Sequence, residues 1–336
     1  MRAAIFNGVG KPVTIDNIPD PTPGPGDVVV KVGRCGICGT DVHMTASHGF
    51  APPPGTALGH EFSGEVVALG AAVNNLRVGD NIAVMPMAGC GTCTSCRAGH
   101  PFACSQMRMM MGGFGEYALA NAAVAVKLPS ALSLTDGALV EPLAAALHGV
   151  KMSHPTRDSK ILVLGLGGMG LASIYWARHL GAGKIVASAR SPWREAMALE
   201  LGADAFVVSN DELAARAAEA LGGPPDIVIE CVGMPGILAQ AMNLVRPRGM
   251  VLSVGGGLEA DQLVPFVGMY KEICLQFAGA YSLDDFHEVV DALDRGALAL
   301  RGLVTDTLSL DAMPAMLESL RGSNRQCKVM INPWMT

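Results

Sequence analysis

Four cysteines stand close together in one short segment of the chain, MAGCGTCTSCRAGHPFACSQM. Cys90, Cys93, Cys96 and Cys104 follow the spacing C-x2-C-x2-C-x7-C. Four thiolates from one loop can surround a single Zn²⁺ tetrahedrally and leave no ligand position open, as in structural zinc sites. Disulfides or four unligated thiols are the alternatives. We favour zinc because MRAAIFNGVGKPV lacks the apolar run of an export signal, and clustered cysteines in a reducing compartment more often bind metal.

A second group of potential metal ligands is spread over three segments. Cys38 lies in CGICGTDVH, His60 and Glu61 lie in LGHEFSG, and Glu141 lies in LVEPLAAALHG. Cysteine, histidine and carboxylate ligands, with one position left for water or substrate, are typical of catalytic zinc. The segments are far apart in sequence, so spacing alone supports this site weakly. A histidine beside a glutamate is more often a structural residue than a metal ligand.

A glycine motif predicts a dinucleotide site. The apolar run KILVL leads into GLGGMG, and LASIYWARHLGA follows as a predicted helix. Gly165, Gly167 and Gly170 match G-x-G-x-x-G, with Gly168 and Met169 between them. Between a strand and a helix, such glycines allow a tight turn and bring backbone N–H groups close to a pyrophosphate.

The end of the second predicted strand, KIVASARSPWR, indicates which dinucleotide binds. Ala189 stands where a carboxylate would hold the ribose 2′-OH of NAD, and it is surrounded by Ser188, Arg190, Ser191 and Arg194. Without that carboxylate a 2′-phosphate is not repelled, and arginine can pair with it. We therefore expect NADP(H) in preference to NAD(H). The alternative is that both arginines are solvated residues at a helix start.

Two further segments are expected to contact the cofactor. ECVG at 230–233 and VGGG at 254–257 end later strands of the same pattern. Ligands bind at the carboxyl ends of such strands, so these segments should line the ribose and nicotinamide. The residues assigned to this contact are Cys231, Val232, Val254 and Gly255.

The elements that must position these residues change character along the chain. Residues 1–150 contain short β-type runs separated by turns, whereas KILVLG, KIVASA, DIVIEC and MVLSVG alternate with helical segments from Lys160 onward. Alternating strands and helices predict an α/β domain with a doubly wound parallel sheet.

Composition excludes several classes of protein. Of 336 residues, 50% are hydrophobic and 16% charged, with a net charge of −6, which argues against disorder and a nucleic-acid partner. The longest apolar stretch, 161–177, is interrupted by glycines and too short to span a membrane, so no membrane partner is expected. We expect a cytoplasmic protein.

Together these segments resemble the zinc-dependent medium-chain alcohol dehydrogenase family. CGICGTDVH, GHE at 59–61, the four-cysteine lobe and GLGGMG occur in the order of that family, and EPLAAALHG resembles its sorbitol and threonine dehydrogenase branch. The resemblance implies a β-rich GroES-like catalytic domain over 1–150 and 281–336 and a Rossmann domain over 151–280. It also implies a homodimer or homotetramer.

The resemblance further implies roles for individual residues. Cys38 and His60 are expected to bind catalytic zinc, with Glu61 a ligand in some states and Glu141 bound directly or through water. The family transfers a hydride between a small-molecule alcohol or ketone and the nicotinamide. Thr40 and His43 match its proton-relay positions, although His43 could instead bind the ribose. Two zinc ions per chain, one catalytic and one structural, are expected.

The substrate is predicted from what the sequence lacks. Met44, Thr45 and Ala46 follow His43, and GAYSLDD at 279–285 has no arginine that would suit a sugar alcohol. An apolar wall is predicted from these residues: Met107, Met109, Met110, Met111, Phe50, Phe114 and Tyr270. We expect a secondary alcohol or ketone with apolar substituents. For the substrate, the alternative is a polyol or ketose. For the whole protein, the alternatives are a zinc-free quinone reductase and a non-enzymatic NADP-binding protein. For the methionines, the alternative is that they only fill the core.

Overall fold

The chain forms two units, each with its own sheet and hydrophobic core. The structure, a computed structural model, describes residues 1–46, 51–322 and 324–335, except for the side chain of residue 298. The first unit comprises Met1–Ala144, Ser282–Ala297 and Val304–Thr336, and the second comprises Ala145–Tyr281 and Leu298–Leu303. A β-rich first unit and a second unit built on a parallel sheet confirm the predicted fold class.

The elements are named in chain order. The strands are β1 (Arg2–Ile5), β2 (Thr14–Asn17), β3 (Asp27–Gly36), β4 (Glu61–Leu69), β5 (Asn81–Val84), β6 (Met87–Ala88), β7 (Arg108–Met109), β8 (Tyr117–Asn121), β9 (Ala125–Lys127), β10 (Lys160–Leu164), β11 (Lys184–Ala189), β12 (Ala205–Val208), β13 (Ile227–Glu230), β14 (Met250–Ser253), β15 (Cys274–Phe277), β16 (Val304–Ser309) and β17 (Lys328–Asn332). The helices are α1 (Gly39–Ala46), α2 (Thr94–Arg97), α3 (Leu134–Met152), α4 (Gly168–His179), α5 (Glu195–Glu200), α6 (Leu213–Leu221), α7 (Ile237–Leu244), α8 (Pro265–Lys271), α9 (Leu283–Asp294) and α10 (Met313–Ser319). Short 3₁₀ turns occupy Pro101–Ala103, Ala122–Val124, Pro192–Arg194, Leu298–Leu303 and Leu310–Ala312.

The second unit contains a six-stranded parallel sheet in the order β12-β11-β10-β13-β14-β15. Its central strands are almost entirely apolar and buried, as expected when helices cover both faces. Strand order reverses between β10 and β13. The carboxyl ends of the strands on either side of this reversal are where an open α/β sheet binds ligands.

The first unit contains a larger, mostly antiparallel sheet in the order β16-β17-β3-β4-β5-β9, with β8 also paired to β3. β3 lies at its centre and pairs with β4, β8 and β17. The apolar side chains of these strands form one core with Phe62, Phe114 and Met313 among its buried members. The carboxyl end of β3 is therefore held by strands on both sides.

The register of these strands places distant segments side by side. Gly36 at the end of β3 is opposite Glu61 at the start of β4, and it is also opposite Met330 of β17. The residues that follow β3, precede β4 and begin β17 therefore converge at one sheet end. Within the described residues, no helix is both long and apolar enough to cross a membrane.

Candidate metal and cofactor sites

Three potential metal ligands meet where β3 ends and β4 begins. One ligand atom from each of Cys38, His60 and Glu61 lies within 4.8 Å of the other two. A hairpin-like register brings them together, because Cys38 follows β3 by two residues and His60 precedes β4 directly. A thiol, an imidazole and a carboxyl group at this separation are a suitable donor set for Zn²⁺.

Asp41 is a completely buried carboxylate behind this group. Its Oδ2 accepts a hydrogen bond from the Cys38 backbone N–H at 2.9 Å, and its Oδ1 lies 3.4 Å from Nδ1 of His60. That second distance is an ion-pair contact rather than a hydrogen bond, and neither atom has a hydrogen-bond partner. A metal on the other imidazole nitrogen would leave Nδ1 as a donor towards Asp41. The residues present therefore fit a metal at this position.

The charges of this group influence one another strongly. Burial alone would lower the pKa of His60, but the attraction of Asp41, reinforced by Cys38, raises it well above its usual value. Burial and the charge of Glu61 raise the pKa of the Cys38 thiol. A thiolate at Cys38 is thus unfavourable without a compensating cation, and a divalent metal would supply that charge.

Lys328 lies beside the candidate metal ligands, a position that the sequence analysis did not foresee. Its ammonium is buried at the first position of β17 and donates to both carboxylate oxygens of Glu61, at 2.7 and 2.6 Å, and to the Ile37 carbonyl at 3.2 Å. Burial lowers the pKa of Lys328, but Glu61, Cys38 and Glu141 outweigh it and raise the pKa overall. A lone lysine in the apolar run CKVMINPW was the only available signal.

Gly36 leaves room for this ion pair. A side chain there would overlap the Glu61 carboxylate and approach the Lys328 side chain to 3.2 Å. The ion pair therefore requires glycine at this position, because a larger residue would occupy its space.

The remaining predicted catalytic residues lie on α1 and α3. Glu141 is buried on α3 and is outside the three-residue ligand group, although its charge acts on Lys328. The Thr40 backbone N–H donates to the Cys38 sulfur at 3.4 Å, which fixes the first turn of α1 beside that thiol. His43 is exposed on the same helix.

The four predicted structural ligands converge in a separate lobe. One sulfur from each of Cys90, Cys93, Cys96 and Cys104 lies within 4.8 Å of the others, and none of them forms a disulfide. Backbone N–H groups point at the sulfurs, with Cys90 N donating to Cys104 at 3.4 Å and Cys93 N donating to Cys90 at 3.4 Å. Such N–H donors favour thiolates, so the lobe fits a tetrahedral Zn²⁺ site.

The thiols of this lobe differ in acidity before any metal binds. Hydrogen bonding, above all from the Thr92 hydroxyl, lowers the pKa of Cys90 to about 5. Desolvation and neighbouring thiols raise the pKa of Cys96 to about 11. Cys96 therefore carries a proton at neutral pH that a bound metal must displace.

The glycine motif adopts the predicted strand–turn–helix geometry. Gly165 follows β10 with φ +90°, a conformation that favours glycine. A side chain at Gly170 would overlap the Gly165 carbonyl oxygen, and one at Gly165 would lie 2.6 Å from Val232. Gly167 precedes α4, whose N-terminal residues include Gly168 and Met169. The free N–H groups of this twelve-residue helix suit a pyrophosphate.

The residues predicted to choose the dinucleotide follow the neighbouring strand. Ser188 and Ala189 end β11, Arg190 is exposed directly after it, and Arg194 donates to the Leu166 carbonyl at 3.2 Å. That bond brings the Arg194 guanidinium to the glycine turn. The Ser188 hydroxyl is buried and has no hydrogen-bond partner. Ser191 is half-buried in the same segment.

The last four predicted cofactor residues follow the next two strands. Cys231 and Val232 come directly after β13, and Val254 and Gly255 come directly after β14. The paired ends of these strands place both segments together, because Glu230 is opposite Ser253. A cofactor on the glycine turn would meet both at this edge of the sheet.

Three members of the predicted apolar wall are part of the buried core of the first unit or pack against it. Phe114 and Met110 belong to the buried core of the first unit, and Met111 packs against that core. Met109 is exposed on β7, Met107 is half-buried, and Tyr270 is exposed on α8 of the second unit. Phe50 lies outside the described residues. Phe114 has no exposed surface and therefore cannot line a pocket.

Two family models match most of the chain between them. Residues 24–130 match the alcohol dehydrogenase GroES-like domain, and residues 168–295 match the zinc-binding dehydrogenase family. Both matches contain predicted site residues, Cys38 and His60 in the first and Gly170 and Arg190 in the second.

Individual relatives cover almost the whole chain. The (R,R)-butanediol dehydrogenase of Bacillus subtilis (strain 168) is 33% identical over 99% of this chain and 100% of its own length. The sorbitol dehydrogenase of Bos taurus is 30% identical over 98% and 96%. A Sinorhizobium meliloti 1021 protein, assigned as a zinc-binding dehydrogenase and solved with NADP bound, is 33% identical with a TM-score of 0.89, covering 99% of both chains.

Proposed function

Since this chain belongs to the zinc-dependent medium-chain alcohol dehydrogenase family, in its sorbitol- and threonine-dehydrogenase-like branch, we propose that it interconverts a secondary alcohol and a ketone with NADP(H). It is an oxidoreductase that acts on small-molecule alcohols. The observation that carries the proposal is the convergence of Cys38, His60 and Glu61 in front of Asp41.

We assign two zinc ions to each chain. Cys38 and His60 hold the catalytic ion together with Glu61 or Glu141, and Cys90, Cys93, Cys96 and Cys104 hold the structural one. Both oxygens of Glu61 accept hydrogen bonds from Lys328, so a metal bound by Glu61 would share this carboxylate with the ammonium. When bound, the catalytic ion supplies Lewis acidity that acidifies an alcohol or polarises a carbonyl.

The chain's own side chains then handle the proton. We assign the Thr40 hydroxyl as a relay that accepts the substrate proton while it passes its own proton on, and the His43 imidazole as the group that releases a proton to solvent. The Thr40 N–H bond to the Cys38 sulfur holds this residue beside a metal ligand, and the exposure of His43 suits exchange with water. A bond from His43 to the cofactor ribose is compatible with the same role.

NADP(H) is assigned from the segment after β11. No carboxylate stands at Ala189 to repel a 2′-phosphate, and Arg190 and Arg194 can pair with it. The bond from Arg194 to Leu166 supports this assignment, because it brings the guanidinium to the turn expected to hold the pyrophosphate. Ser188 and Ser191 offer hydroxyl groups in the same segment.

For the substrate we favour apolar substituents. The segment 279–285 contains no arginine, and Met44 and Thr45 are buried rather than available as polar contacts. A polyol or ketose is the second candidate, and the similarity to a sorbitol dehydrogenase favours it. Because Phe114 is buried, it does not support a substrate with apolar substituents. Met109 is exposed and is the member of the predicted wall that best supports such a substrate.

A homo-oligomer is proposed from the second unit. β15 is an edge strand of its sheet, and Phe266, Met269, Tyr270 and Phe277 on β15 and α8 are exposed. An unpaired edge with apolar neighbours suits antiparallel pairing with the same edge of a second copy, which is a two-fold interface. We also propose a reducing location such as the cytoplasm, because five of the ligands assigned to zinc are cysteines.

One assay tests this function. A bulky apolar ketone and a ketose are each offered with NADPH and with NADH to the zinc-loaded protein, beside Cys38→Ser and Arg190→Ala. We expect turnover of the apolar ketone with NADPH, none in Cys38→Ser, and a loss of NADPH affinity in Arg190→Ala that exceeds the loss for NADH.

Other outcomes contradict separate parts of the proposal. Turnover of the ketose alone would replace the apolar substrate by the polyol candidate. Preference for NADH would remove the phosphate assignment. Full activity of Cys38→Ser would remove the catalytic metal site.

A further inference from the structure

Glu230 is a buried carboxylate without a counter-ion among the described residues. It is the last residue of β13, only 1% of it is exposed, and within the described chain no lysine, arginine or histidine forms an ion pair with it. A carboxylate in such a place persists only if hydrogen bonds compensate for its lost hydration. Its partners therefore show what it does.

The side chain of Glu230 holds the segments that follow two strands. Its Oε1 accepts hydrogen bonds from the backbone N–H groups of Val232 at 2.6 Å and Gly233 at 2.7 Å. Its Oε2 accepts a hydrogen bond from the hydroxyl of Ser253, the last residue of β14, at 3.0 Å. One carboxylate thus bridges the end of β14 and the turn after β13.

The backbone of Glu230 completes this bridge. Its carbonyl oxygen accepts hydrogen bonds from Val254 N at 2.9 Å and Gly255 N at 3.0 Å. The two segments also touch through glycines, because a side chain at Gly255 would lie 2.7 Å from Glu230 Oε2 and overlap the Gly233 nitrogen. Glu230 thus accepts five hydrogen bonds, which fix both segments against each other.

Resting on the proposed function, we propose that Glu230 is a positioning residue for the cofactor, which shapes the nicotinamide-side contacts of the second unit without touching the cofactor itself. Three of the four residues assigned to that contact are Val232, Val254 and Gly255, and Glu230 accepts a hydrogen bond from the backbone N–H of each. Because this surface is formed before the cofactor binds, binding does not carry the entropic cost of ordering two loops.

Two substitutions at Glu230 distinguish a role that depends on hydrogen bonds from one that depends on negative charge. In Glu230→Gln, the amide oxygen can still accept from Val232 and Gly233, and the amide nitrogen can donate to Ser253. In Glu230→Ala, both N–H groups and the hydroxyl lose their acceptor. The glutamine variant should therefore retain what the alanine variant loses.

The experiment titrates the zinc-loaded full-length protein with NADPH and follows cofactor fluorescence, alongside hydrogen exchange of 231–236 and 254–257 without cofactor. For Glu230→Ala we expect faster exchange in 231–236, where Val232 and Gly233 lose their acceptor, and a smaller increase in 254–257, where the Glu230 carbonyl still accepts from Val254 and Gly255. We expect the Kd for NADPH to rise about tenfold, with zinc content unchanged. Glu230→Gln should stay within about threefold of the wild-type Kd, and Ser253→Ala, which removes a single bond, should fall between them.

Val228→Ala on the same strand is the matched control. Val228 is fully buried, so this variant should lower the melting temperature of the second unit and leave the Kd unchanged. If Glu230→Ala folds and behaves like Val228→Ala, the residue is merely structural and the inference is wrong. If Glu230→Gln is as weak as Glu230→Ala, the hydrogen-bond account is wrong.

Three further outcomes would overturn the inference about Glu230. Should Glu230→Ala not fold, a wild-type Kd and unchanged exchange in Ser253→Ala would overturn the inference. Failure of the wild type to bind NADPH or NADH would overturn the proposed function and this inference with it. Normal wild-type binding with an unaltered Kd in Glu230→Ala would overturn the inference alone.

Discussion

The ammonium of Lys328 lies 2.6 and 2.7 Å from the two carboxylate oxygens of Glu61, and both side chains are buried. The two residues are far apart in sequence, and β17 and β4 bring them together by pairing with opposite sides of β3. This ion pair lies beside Cys38 and His60, so it controls how much negative charge the proposed metal site presents.

Breaking this pair should destabilise the metal-free protein. Lys328→Met leaves the Glu61 carboxylate buried without a counter-ion, which we expect to lower the free energy of unfolding by about 3–5 kcal/mol. Urea unfolding after chelation measures this loss. Restoring zinc should recover part of it in Lys328→Met, because the released carboxylate can then bind the metal.

A double-mutant cycle checks the origin of that effect. Glu61→Gln combined with Lys328→Met removes both charges and should be more stable than Lys328→Met alone. If the two substitutions are additive, the pair has no coupling energy and the explanation is wrong.

Asp41→Asn should weaken catalytic zinc binding about 10- to 100-fold. The amide can still accept from the Cys38 N–H, but its NH₂ group faces Nδ1 of His60 and disfavours the tautomer that binds metal through the other nitrogen. Competition with a chromogenic chelator measures the affinity.

Asp136→Asn is a suitable control for that experiment. Asp136 is also buried, but it accepts from the N–H and hydroxyl of Ser133 at the start of α3. This variant should lose about 1 kcal/mol of stability with unchanged zinc affinity. Equal zinc affinities in Asp41→Asn and the wild type would contradict the assigned role of Asp41.

Cys96→Ser should remove the structural ion and leave the catalytic one. We expect zinc content to fall from about two to about one ion per chain and the melting temperature to fall by several degrees, because metal binding contributes to folding. Metal analysis and calorimetry measure both. Cys274→Ser, at an exposed position, should change neither. A Cys96→Ser protein that retains both ions would refute the assignment.

Asp27 predicts a pH dependence of stability. Hydrogen bonds from the Arg108 guanidinium, with a smaller effect of Asn121, hold the pKa of this carboxyl below its usual 3.8. A lowered pKa in the folded state stabilises the protein above the unfolded-state pKa, and this contribution disappears as the pH falls through the folded-state value. Since Arg108 is 54% exposed, we expect only about 1 kcal/mol.

Unfolding of Asp27→Asn between pH 2 and pH 6 tests this dependence. The difference from the wild type should be constant near pH 6 and shrink below about pH 4. Asp16→Asn, at an exposed position of the same unit, should show little difference at any pH. A constant difference for Asp27→Asn down to pH 2 would be inconsistent with the lowered pKa.

Local patterns predicted the elements correctly where they carry enough information. The apolar run before Gly165 and the helix after Gly167 appear as β10 and α4. The four-cysteine spacing predicted a group whose sulfurs indeed converge, because all four belong to one short lobe. The apolar wall was less successful, because the burial of Phe114 and Met110 depends on partners from several strands.

The sequence by itself determined the family and the fold class, since motifs and periodicity are local properties of the chain, and it suggested which residue types would bind metal. Only the tertiary structure decided which buried polar side chains contact each other. The register of β3 with β4 and β17 puts Lys328 on Glu61, and the pairing of β13 with β14 puts Glu230 on Ser253. No spacing encodes either contact, because strand pairing, rather than distance along the chain, sets which buried groups must compensate one another.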